Sequence, residues 1–564
     1  MRMRLENGLV SRGGWHAFLV TACVLAPGVQ AAIAAGLSSG SLPSGGLPVA
    51  RTFDQRRAAH LARRAGFGVT PAEVDALVNM GLMRAVECVL SGTCDRSEAG
   101  GPARVNAETT PEMMDVSHFA RPGVYRAFSK QLPADQRNAL RKGIVAIGQV
   151  ELTSLRAWWL QRMVETNHPL HEKMTLFWHG HFTSGAREVK STRWMAQQNH
   201  LFRKHALGRF DQLLAGVIRD PAMLRYLDNA SNRRQHPNEN FARELLELFT
   251  LGAGNYTEKD IAEAARAFTG WAVGPGGFRY RPAWHDRGTK VFLGQQGQWD
   301  GDDIVAIILR HPAAAEHLSR RLLTFFVCDK PEDDAVRRLA KTMRQSGYDL
   351  TATLRSLFRS EFFYGDSVIG NQIKSPVDLV VGTLRAFEHS DVDYRTCARL
   401  IGEMGQELFQ PPNVKGWDGG RTWLTPSTFL TRDRFATFLI NGLPEAVARR
   451  RKKKWDEHAD QRRDVQEQVP ARARFHLAAM PAVGAGSPLD LDSFFDRQHV
   501  MVGGLVDGLV KAYVAVPIDS SQRADLVRLL GKDDAEPVRT GLAARGGRKQ
   551  FLRAMLMLPE FQLQ

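Results

Sequence analysis

Apolar residues recur at helical spacing along most of this chain, whereas the alternation that is typical of β-strands is almost absent. The segment TPAE at 70–73 illustrates how the helices begin, because it combines a capping box with proline at the first helical position. Strand-like alternation is confined to GGFRYRPAW and TKVFLG, between Trp271 and Asp300, where it predicts a β-hairpin. The sequence therefore predicts a mainly α fold, a large multi-helix single body with one small β-hairpin insertion.

Composition narrows the class of protein further. The 564 residues are 43% hydrophobic and 24% charged, which is typical of a folded protein and not of a disordered chain or a polytopic membrane protein. The net charge of +15 favours anionic neighbours. No zinc finger, aromatic RNA-binding signature or basic helix leading into a heptad repeat accompanies this charge, so no specific nucleic-acid partner is expected.

The N-terminus has the pattern of an export signal. Basic residues precede an apolar run from Trp15 to Val29, and the small residues AIA at 32–34 suit a signal peptidase. We therefore expect a signal peptide over residues 1–35, a periplasmic or extracellular location, and no transmembrane helix in the mature chain. Two alternatives stay open: a lipoprotein anchored through Cys23, and an uncleaved anchor.

Composition also divides the rest of the chain. Residues 36–50 are rich in Gly, Ser and Pro and predict a flexible segment. Residues 51–445 form the main helical domain with the candidate site. Residues 446–488 are a densely charged insertion, interpreted as either an exposed helix or a mobile segment. Residues 489–564 resume the helical pattern and are expected to pack on the main domain.

The five cysteines suggest one disulfide. In an oxidising compartment, Cys88 and Cys94 are close enough in sequence to close a small loop. Cys328 lies in an apolar helical context and is interpreted as a buried small side chain. No CxxC motif is present, so thioredoxin chemistry and covalent c-type haem are not expected.

The stretch from His168 to Gly294 crowds histidines, carboxylates, Asn and Trp together, which makes it the place to look for function. His179 and His181 flank Gly180 in FWHGHF, and such a pair commonly begins a metal site. Both rings face one pocket only if Gly180 ends the helix, because residues two apart diverge on a helix. The alternative is that one ring bonds a local carbonyl and the other is exposed.

Two carboxylates on predicted loops complete the candidate metal site, a site for a divalent ion of unknown identity. They are Asp228, which precedes a polar loop, and Asp286, which follows His285 in the hairpin region. Loops on a rigid scaffold often carry catalytic groups, although Asp is also an ordinary turn former. The predicted metal ligands are His179, His181, Asp228 and Asp286.

The candidate catalytic residues are Glu239, Arg243 and His285. In HPNENFARELLELF, Glu239 and Arg243 lie four residues apart on one helix face. A glutamate held by an arginine beside a histidine is suited to act as a base or a ligand. The structural alternative is an ordinary i,i+4 ion pair that stabilises the helix modestly.

Several common activities lack their sequence signatures. No GxSxG motif lies between a predicted strand and a predicted helix, and no HExxH helix, P-loop or Rossmann glycine pattern is present, so serine hydrolases, zincins and nucleotide-dependent enzymes lose their usual support. The segment PPNVKGWDGGRTWL predicts a rigid aromatic loop, which either stacks on a sugar ring or closes a core.

From about Phe53 to Gln564 the chain resembles the bacterial domain-of-unknown-function 1800 family. The resemblance depends on AAHLARRAGFGVTPAEVDALVNMG, WWLQRMVETNHPLHEKMTLFWHGHFTSG, HPNENFARELLELFTLGAGNYTEKDI, ARAFTGW, HDRGTKVFLG, LFQPPNVKGWDGGRTWL and LPEFQLQ. It implies an exported, mostly helical protein and supplies no activity. Members are often encoded beside a protein of the domain-of-unknown-function 1501 family, which looks like the sulfatase and alkaline-phosphatase class, and this association suggests a partner.

Three functions are consistent with these residues. The first is a metal-assisted hydrolase of the cell envelope, in which the ion activates a water and Glu239 or His285 moves protons. The second is a non-catalytic partner or maturation factor of a sulfatase-like protein. The third is a binder of an anionic envelope polysaccharide.

Overall fold

The computed structural model describes residues 46–92, 130–274, 276–447, 486–491, 501–531, 533–538 and 544–564, together with a few isolated positions between 449 and 495. The predicted signal peptide at 1–35, Cys23, Cys94 and most of the charged insertion at 446–488 lie outside the described residues.

The described chain is mainly α-helical, as the sequence predicts. In chain order the α-helices are α1 (Gln55–Ala65), α2 (Pro71–Ser91), α3 (Ala134–Glu165), α4 (Pro169–His181), α5 (Ala186–Val189), α6 (Thr192–Lys204), α7 (Phe210–Val217), α8 (Pro221–Tyr226), α9 (Asn240–Glu244), α10 (Glu258–Ala267), α11 (Gly301–Arg310), α12 (Pro312–Phe326), α13 (Asp333–Gln345), α14 (Leu350–Phe358), α15 (Pro376–Ala386), α16 (Tyr394–Glu403), α17 (Pro426–Asn441), α18 (Val502–Tyr513), α19 (Ser520–Leu530) and α20 (Arg545–Met557).

A π-helical turn, Leu245–Thr250, continues α9 directly. Short 3₁₀ turns cover Asn229–Ser231, Pro282–Trp284, Glu361–Tyr364, Gly420–Trp423 and Glu560–Gln562. The capping box predicted at the start of α2 is present: Thr70 and Glu73 exchange side-chain and backbone hydrogen bonds. That helix extends beyond Gly81, which adopts a positive φ of 71° and kinks it.

The β insertion contains two hairpins rather than one. Strands β1 (Trp271–Gly274) and β2 (Gly277–Tyr280) pair antiparallel. Strands β3 (Lys290–Phe292) and β4 (Gln295–Gly297) form a second antiparallel pair. Each predicted strand therefore pairs with its own local neighbour, because a tight turn costs less chain entropy than a longer connection.

Two hydrophobic cores organise the helices. The first core is built chiefly from α1, α2 and the helices between α7 and α14. The second core joins α3, α15, α16 and α17 to the C-terminal helices α18 to α20. Helix α4 lies between them, because Met174 and Trp178 pack in the first core while Leu176 packs in the second.

The C-terminal residues are tied into the body of the fold by the backbone. Leu563 forms a β-bridge with Ile373, and the amide of Gln564 donates to the carbonyl oxygen of Gln372 at 2.9 Å. None of the described helices is both long enough and apolar enough to span a bilayer.

Cysteine usage fits part of the sequence prediction. Cys88 is disulfide-bonded, and Cys94, its predicted partner, lies outside the described residues. Cys328 and Cys397 are free thiols, and only Cys397 is fully buried.

Candidate functional site

Helix α4 does not end at Gly180 but continues to His181, so the two imidazoles of FWHGHF point to different sides of the helix. His179 faces the second core, where its ring lies within 5.5 Å of the rings of Trp159, Phe409 and Trp417. Its Nε2 accepts a hydrogen bond from the backbone amide of Phe409 at 3.0 Å. Burial and the nearby Arg156 lower the pKa of His179 to about 3, so the ring is a neutral acceptor inside the fold.

His181 faces the first core. Its ring stacks on Phe177 and contacts the rings of Trp178, Phe182 and Phe249. Its Nε2 lies 3.0 Å from the carbonyl oxygen of Phe249. Burial, together with the positive charge of Arg321, holds the pKa of His181 well below its usual value.

The π-helical turn explains why a histidine is needed there. The last carbonyls of a helix have no partner within it, and two of them lie close to imidazole nitrogens. His317 Nε2 lies 2.8 Å from the carbonyl oxygen of Leu248, next to the contact between His181 and Phe249. Both rings therefore close the end of a buried helix, which is a structural role.

Asp228 lies on the surface, at the start of the loop that follows α8. Its backbone adopts a left-handed conformation with a φ of 58°, which turns the chain into the loop. Its carboxylate forms no hydrogen bond or ion pair with another described residue. The residue is exposed and does not share a buried pocket with the α4 imidazoles.

Glu239 and Arg243 form the predicted i,i+4 ion pair, with 3.2 Å between Oε2 and Nη2. Arg243 also donates to both carboxylate oxygens of Glu258, at 2.9 and 2.8 Å. Hydrogen bonding to Glu258 raises the pKa of Arg243 above its ordinary value. All three side chains are substantially exposed. Their geometry is that of an ordinary surface ion pair, which was the structural alternative.

His285 and Asp286 are adjacent but belong to different contacts. His285 is buried, and its Nδ1 lies 3.0 Å from the carbonyl oxygen of Thr269. Asp286 accepts from Arg266 Nε at 2.8 Å and from the amide of Gly288 at 2.8 Å. The hydrogen bond from Arg266 lowers the pKa of Asp286.

The structure therefore does not bring the candidate ligands into one site. His179 and His181 lie in separate cores, while Asp228 and Asp286 lie in separate loops with their own neighbours. Across the described residues, no group of three or more His, Cys, Asp or Glu side chains is arranged to hold a metal ion.

The same helix α4 carries a buried ion cluster instead. Glu172 accepts two hydrogen bonds from Arg203, at 2.8 and 2.9 Å, and one from Arg162 at 2.6 Å. Burial alone would raise the pKa of Glu172, but the two guanidinium groups outweigh it and hold the pKa at about 2. The indole of Trp159 donates to the remaining side of the carboxylate at 3.0 Å. This carboxylate is an internal link between α3, α4 and α6.

The aromatic loop around PPNVKGWDGG closes a core. The ring of Trp417 packs against His179, and Trp423 is buried. Gly416 has a φ of 89° and approaches the carbonyl of Gly180 so closely that an added Cβ would lie 2.5 Å from that oxygen. The motifs WHGH and KGWDGG are therefore two halves of one packing contact.

A surface that the sequence did not single out lies beside the β insertion. Trp284 is half-buried, and its ring supports two guanidinium groups: that of Arg233 at 3.8 Å and that of Arg281 at 4.4 Å from the ring centroid. The amide of Arg234 donates to the carbonyl of Trp284 at 2.8 Å. We call these four residues, Arg233, Arg234, Arg281 and Trp284, the arginine platform.

The loop that carries Arg233 and Arg234 is held by buried asparagines. Asn232 donates to Asn229 Oδ1 at 3.0 Å and to the carbonyl of Ala265 at 2.9 Å, and its own Oδ1 accepts from the amide of Asn238 at 3.0 Å. Both Asn229 and Asn232 are fully buried. This explains the DNASN motif and fixes the backbone on which the exposed arginines stand.

The opposite side of the arginine platform is equally fixed. Gly270 has a φ of 83°, and its amide bonds the carbonyl of Asn232 at 3.0 Å. An added Cβ at Gly270 would lie 2.7 Å from the carbonyl oxygen of Arg281. Lys290 is buried and donates to the carbonyl of Asp286 at 2.6 Å. The segment WHDRGTK is therefore a rigid support for Trp284.

Positive charge on the arginine platform is left without a counter-charge. Glu239 and Glu258 form ion pairs with Arg243, and Asp286 forms one with Arg266. Within the described part of the chain, no ion pair neutralises the platform arginines. The Nε of Arg281 is buried and has no hydrogen-bond partner.

The arginine platform could not be predicted from the sequence, for a physical reason. NRRQ was visible as a short basic run, but most such runs are solvated faces. Trp284 stands fifty-one positions after Arg233, and only the tertiary fold brings them together. The one local signal is RYRPAW, in which arginines alternate with aromatic residues on a strand and the turn that follows it.

The fold and this surface define the class of protein: a mainly α-helical chain with an arginine-rich surface beside a small β insertion. Over residues 60–563 the chain matches the family described as "Protein of unknown function (DUF1800)". The chain therefore belongs to that family, which confirms the resemblance found in its motifs. No curated protein and no solved structure matches it.

Proposed function

We propose that this protein binds an anionic polysaccharide of the cell envelope through the arginine platform. The observation that carries the proposal is the pair of guanidinium groups of Arg233 and Arg281, both held on the ring of Trp284 and both without a carboxylate partner among the described residues. A planar guanidinium group suits the bidentate binding of carboxylate and sulfate groups.

The arrangement favours an extended polyanion over a single small ion. Arg233 and Arg234 are exposed and Arg281 is half-buried. Arg279 on β2 and Arg287, after the turn at Pro282–Trp284, are exposed as well. Repeated anionic groups on one chain engage several such cations together. The ring of Tyr280, which is 43% exposed, offers an apolar surface of the kind on which sugar rings pack.

Preorganisation supports the same proposal. Ordering a long arginine side chain on binding costs about 0.5–1.5 kcal/mol. Stacking on Trp284 restricts Arg233 and Arg281 beforehand, and the buried Asn229 and Asn232 fix the backbone beneath them. Surface arginines that merely keep a protein soluble have no need of such support.

The metal-assisted hydrolase has no geometric support among the described residues. It required His179, His181, Asp228 and Asp286 to converge, and these residues lie in two cores and two loops. The role of partner or maturation factor for a sulfatase-like protein remains a hypothesis that depends on the family association alone.

We also propose that the protein acts outside the cytoplasm. The signal-like N-terminus supports export. The disulfide at Cys88 supports an oxidising compartment as well, because disulfides persist there and are rare in the cytosol. An envelope polysaccharide is accessible in that location.

The test is salt elution of the mature protein from immobilised heparin, with neutral dextran as the blank. The double variant Arg233→Ala/Arg281→Ala is expected to elute at lower salt and to bind about tenfold or more weakly, because hydrogen bonds to charged groups contribute about 1.5–3 kcal/mol each. Trp284→Ala is expected to weaken binding less, since it frees the arginines without removing their charge.

The matched control is Arg337→Ala/Lys341→Ala, which removes the same charge from the exposed face of α13. Equal weakening by both double variants would mean that only net charge matters, and the proposal would fail. It would also fail if duplex DNA of equal charge were retained more strongly than heparin and with the same dependence on Arg233 and Arg281.

A further inference from the structure

A second accumulation of positive charge lies inside the protein, in a cleft between α1, α15 and the C-terminal segment. The cleft opens to solvent, and about 320 Å³ of space lies within it and at its mouth. We call it the cation cleft. Its walls include Arg63, Gly68, Lys374, Thr383, Tyr513 and Phe561.

The two cations of the cleft are almost fully buried, with 8% of Arg63 and 7% of Lys374 exposed. Arg63 donates to the carbonyl of Ala512 at 3.1 Å. Lys374 donates to the carbonyl of Phe561 at 2.6 Å and lies 4.0 Å from the centroid of that ring. Carbonyl oxygens satisfy these donors but do not neutralise their charge.

A third cation lies directly behind them. Arg432 is buried, and it donates to the carbonyl of Lys374 at 2.9 Å and to Gln562 Oε1 at 2.8 Å. Burial, followed by the charges of Arg63 and Arg432, holds the pKa of Lys374 well below its usual value. The three cations therefore destabilise one another.

The nearest carboxylate is committed elsewhere. Asp378 forms an ion pair with Lys173 and accepts a hydrogen bond from Ser375 at 2.8 Å. Within the described residues, no carboxylate lies within ion-pair distance of Arg63, Lys374 or Arg432. Burying charge without a partner is costly, and an anion in the cleft would remove that cost.

The wall of the cleft is shaped by two backbones in close contact. An added Cβ at Gly68 would lie 2.1 Å from the carbonyl oxygen of Gly382, and one at Gly382 would lie 2.4 Å from that of Phe67. Glycine at both positions brings α15 against the segment that follows α1. Any side chain there would separate the walls that hold Arg63 and Lys374 together.

We propose that the cation cleft is a binding site for a small oxyanion, the phosphate or sulfate group of a free ion or of an ester. Two buried cationic side chains that line the same cleft suit such a group, and the buried position strengthens the attraction because screening by salt is weak there. The site shares no residue with the arginine platform.

The test is equilibrium dialysis of the whole mature protein against radiolabelled phosphate at constant ionic strength in sodium chloride. We expect one saturable site per chain, with sulfate as a competitor. Lys374→Met is expected to weaken binding at least about tenfold, because it removes a charge-assisted hydrogen bond. Lys341→Met, at an exposed position on α13, is the matched control and is expected to bind like the wild type.

Two further arms keep the result interpretable. Arg63→Gln removes the charge of the other cation of the cleft, and it replaces Lys374→Met if that variant does not fold. Glycerol phosphate in place of phosphate separates the two sources: tighter binding of the ester indicates an ester ligand, and equal or weaker binding indicates the free ion. Absence of saturable binding by the wild type, or binding that neither variant weakens, would overturn the proposal.

Discussion

Two regions of this protein share histidine, tryptophan and charged residues but have opposite surroundings. Helix α4, with HPLHEKMTLFWHGHF, and the loops that carry NRRQHPNEN and WHDRG are both rich in histidine, tryptophan and charged residues. In α4 these side chains are turned inward, and Glu172, His179 and His181 are all at most 2% exposed. In the loops, Arg233, Arg234 and His236 are exposed.

The difference shows what a polar motif means in each setting. Inside the fold, burying a polar group is costly unless it has a partner, and the partners of Glu172 and His179 therefore help to specify one packing arrangement. On the surface, water would satisfy the same groups, so the stacked, unpaired arginines are what supports the proposed binding role. Burial, rather than composition, separates the structural motif from the candidate functional one.

The largest loss of stability is expected when the buried carboxylate of α4 is removed. Glu172→Ala leaves Arg203 and Arg162 without a counter-charge, and the loss of one partner of a buried ion pair costs about 3–5 kcal/mol. We expect the free energy of unfolding, measured by urea denaturation, to fall by that amount.

The surface counterpart of that variant is Glu239→Ala. It removes a partner of Arg243 from an exposed pair, and such pairs contribute about 0–1 kcal/mol. Equal losses of stability in Glu172→Ala and Glu239→Ala would contradict the distinction between the two segments.

The histidines provide the second test. His181→Ala removes a ring that packs among Phe177, Trp178 and Phe182, and truncating a large buried side chain costs about 2–4 kcal/mol. His236→Ala, at an exposed position in the loop, is expected to change stability by less than about 0.5 kcal/mol.

Elemental analysis of the purified variants is expected to give the same metal content as the wild type. Loss of one equivalent of a divalent metal from His181→Ala would restore the metal-site hypothesis.

Local features of this chain were predictable from its sequence, and tertiary partners were not. The capping box at 70–73 and the pair of Glu239 with Arg243 involve residues three or four positions apart, and both are present. Lys173 and Asp378, by contrast, are 205 positions apart. No periodicity in a single sequence encodes which distant residues meet, so the buried partners of α4 and the stacking of Trp284 became visible only in the structure.

The histidine pair His179 and His181 shows the same limit of prediction from sequence. Gly180 favoured a helix end, and a helix end would have let both rings face one pocket. Helix α4 ends at His181, one residue after Gly180, so both histidines still lie on the helix, and Trp178 and Leu176 pack in different cores. Tertiary burial decided the direction of each ring.

The third test concerns Asp220, a buried carboxyl at the start of the helix that leads into the surface loop. It caps α8, the helix that leads into the loop of the arginine platform, and it accepts from Gln198 of α6 at 2.7 Å. Burial raises the pKa of Asp220 to about 7. A carboxyl whose pKa is raised in the folded state contributes stability that is present below its unfolded pKa of about 4 and is lost as the pH rises towards 7. We expect the wild type to lose about 2 kcal/mol between pH 5 and pH 7 relative to Asp220→Asn, which keeps the acceptor oxygen without the charge.

The matched control is Asp366→Asn, at a side chain that is 90% exposed. If urea denaturation gives the same pH dependence for the wild type and Asp220→Asn, the carboxylate is charged in the fold, and the boundary between the buried segment and the surface loop is more accessible to water than the structure indicates.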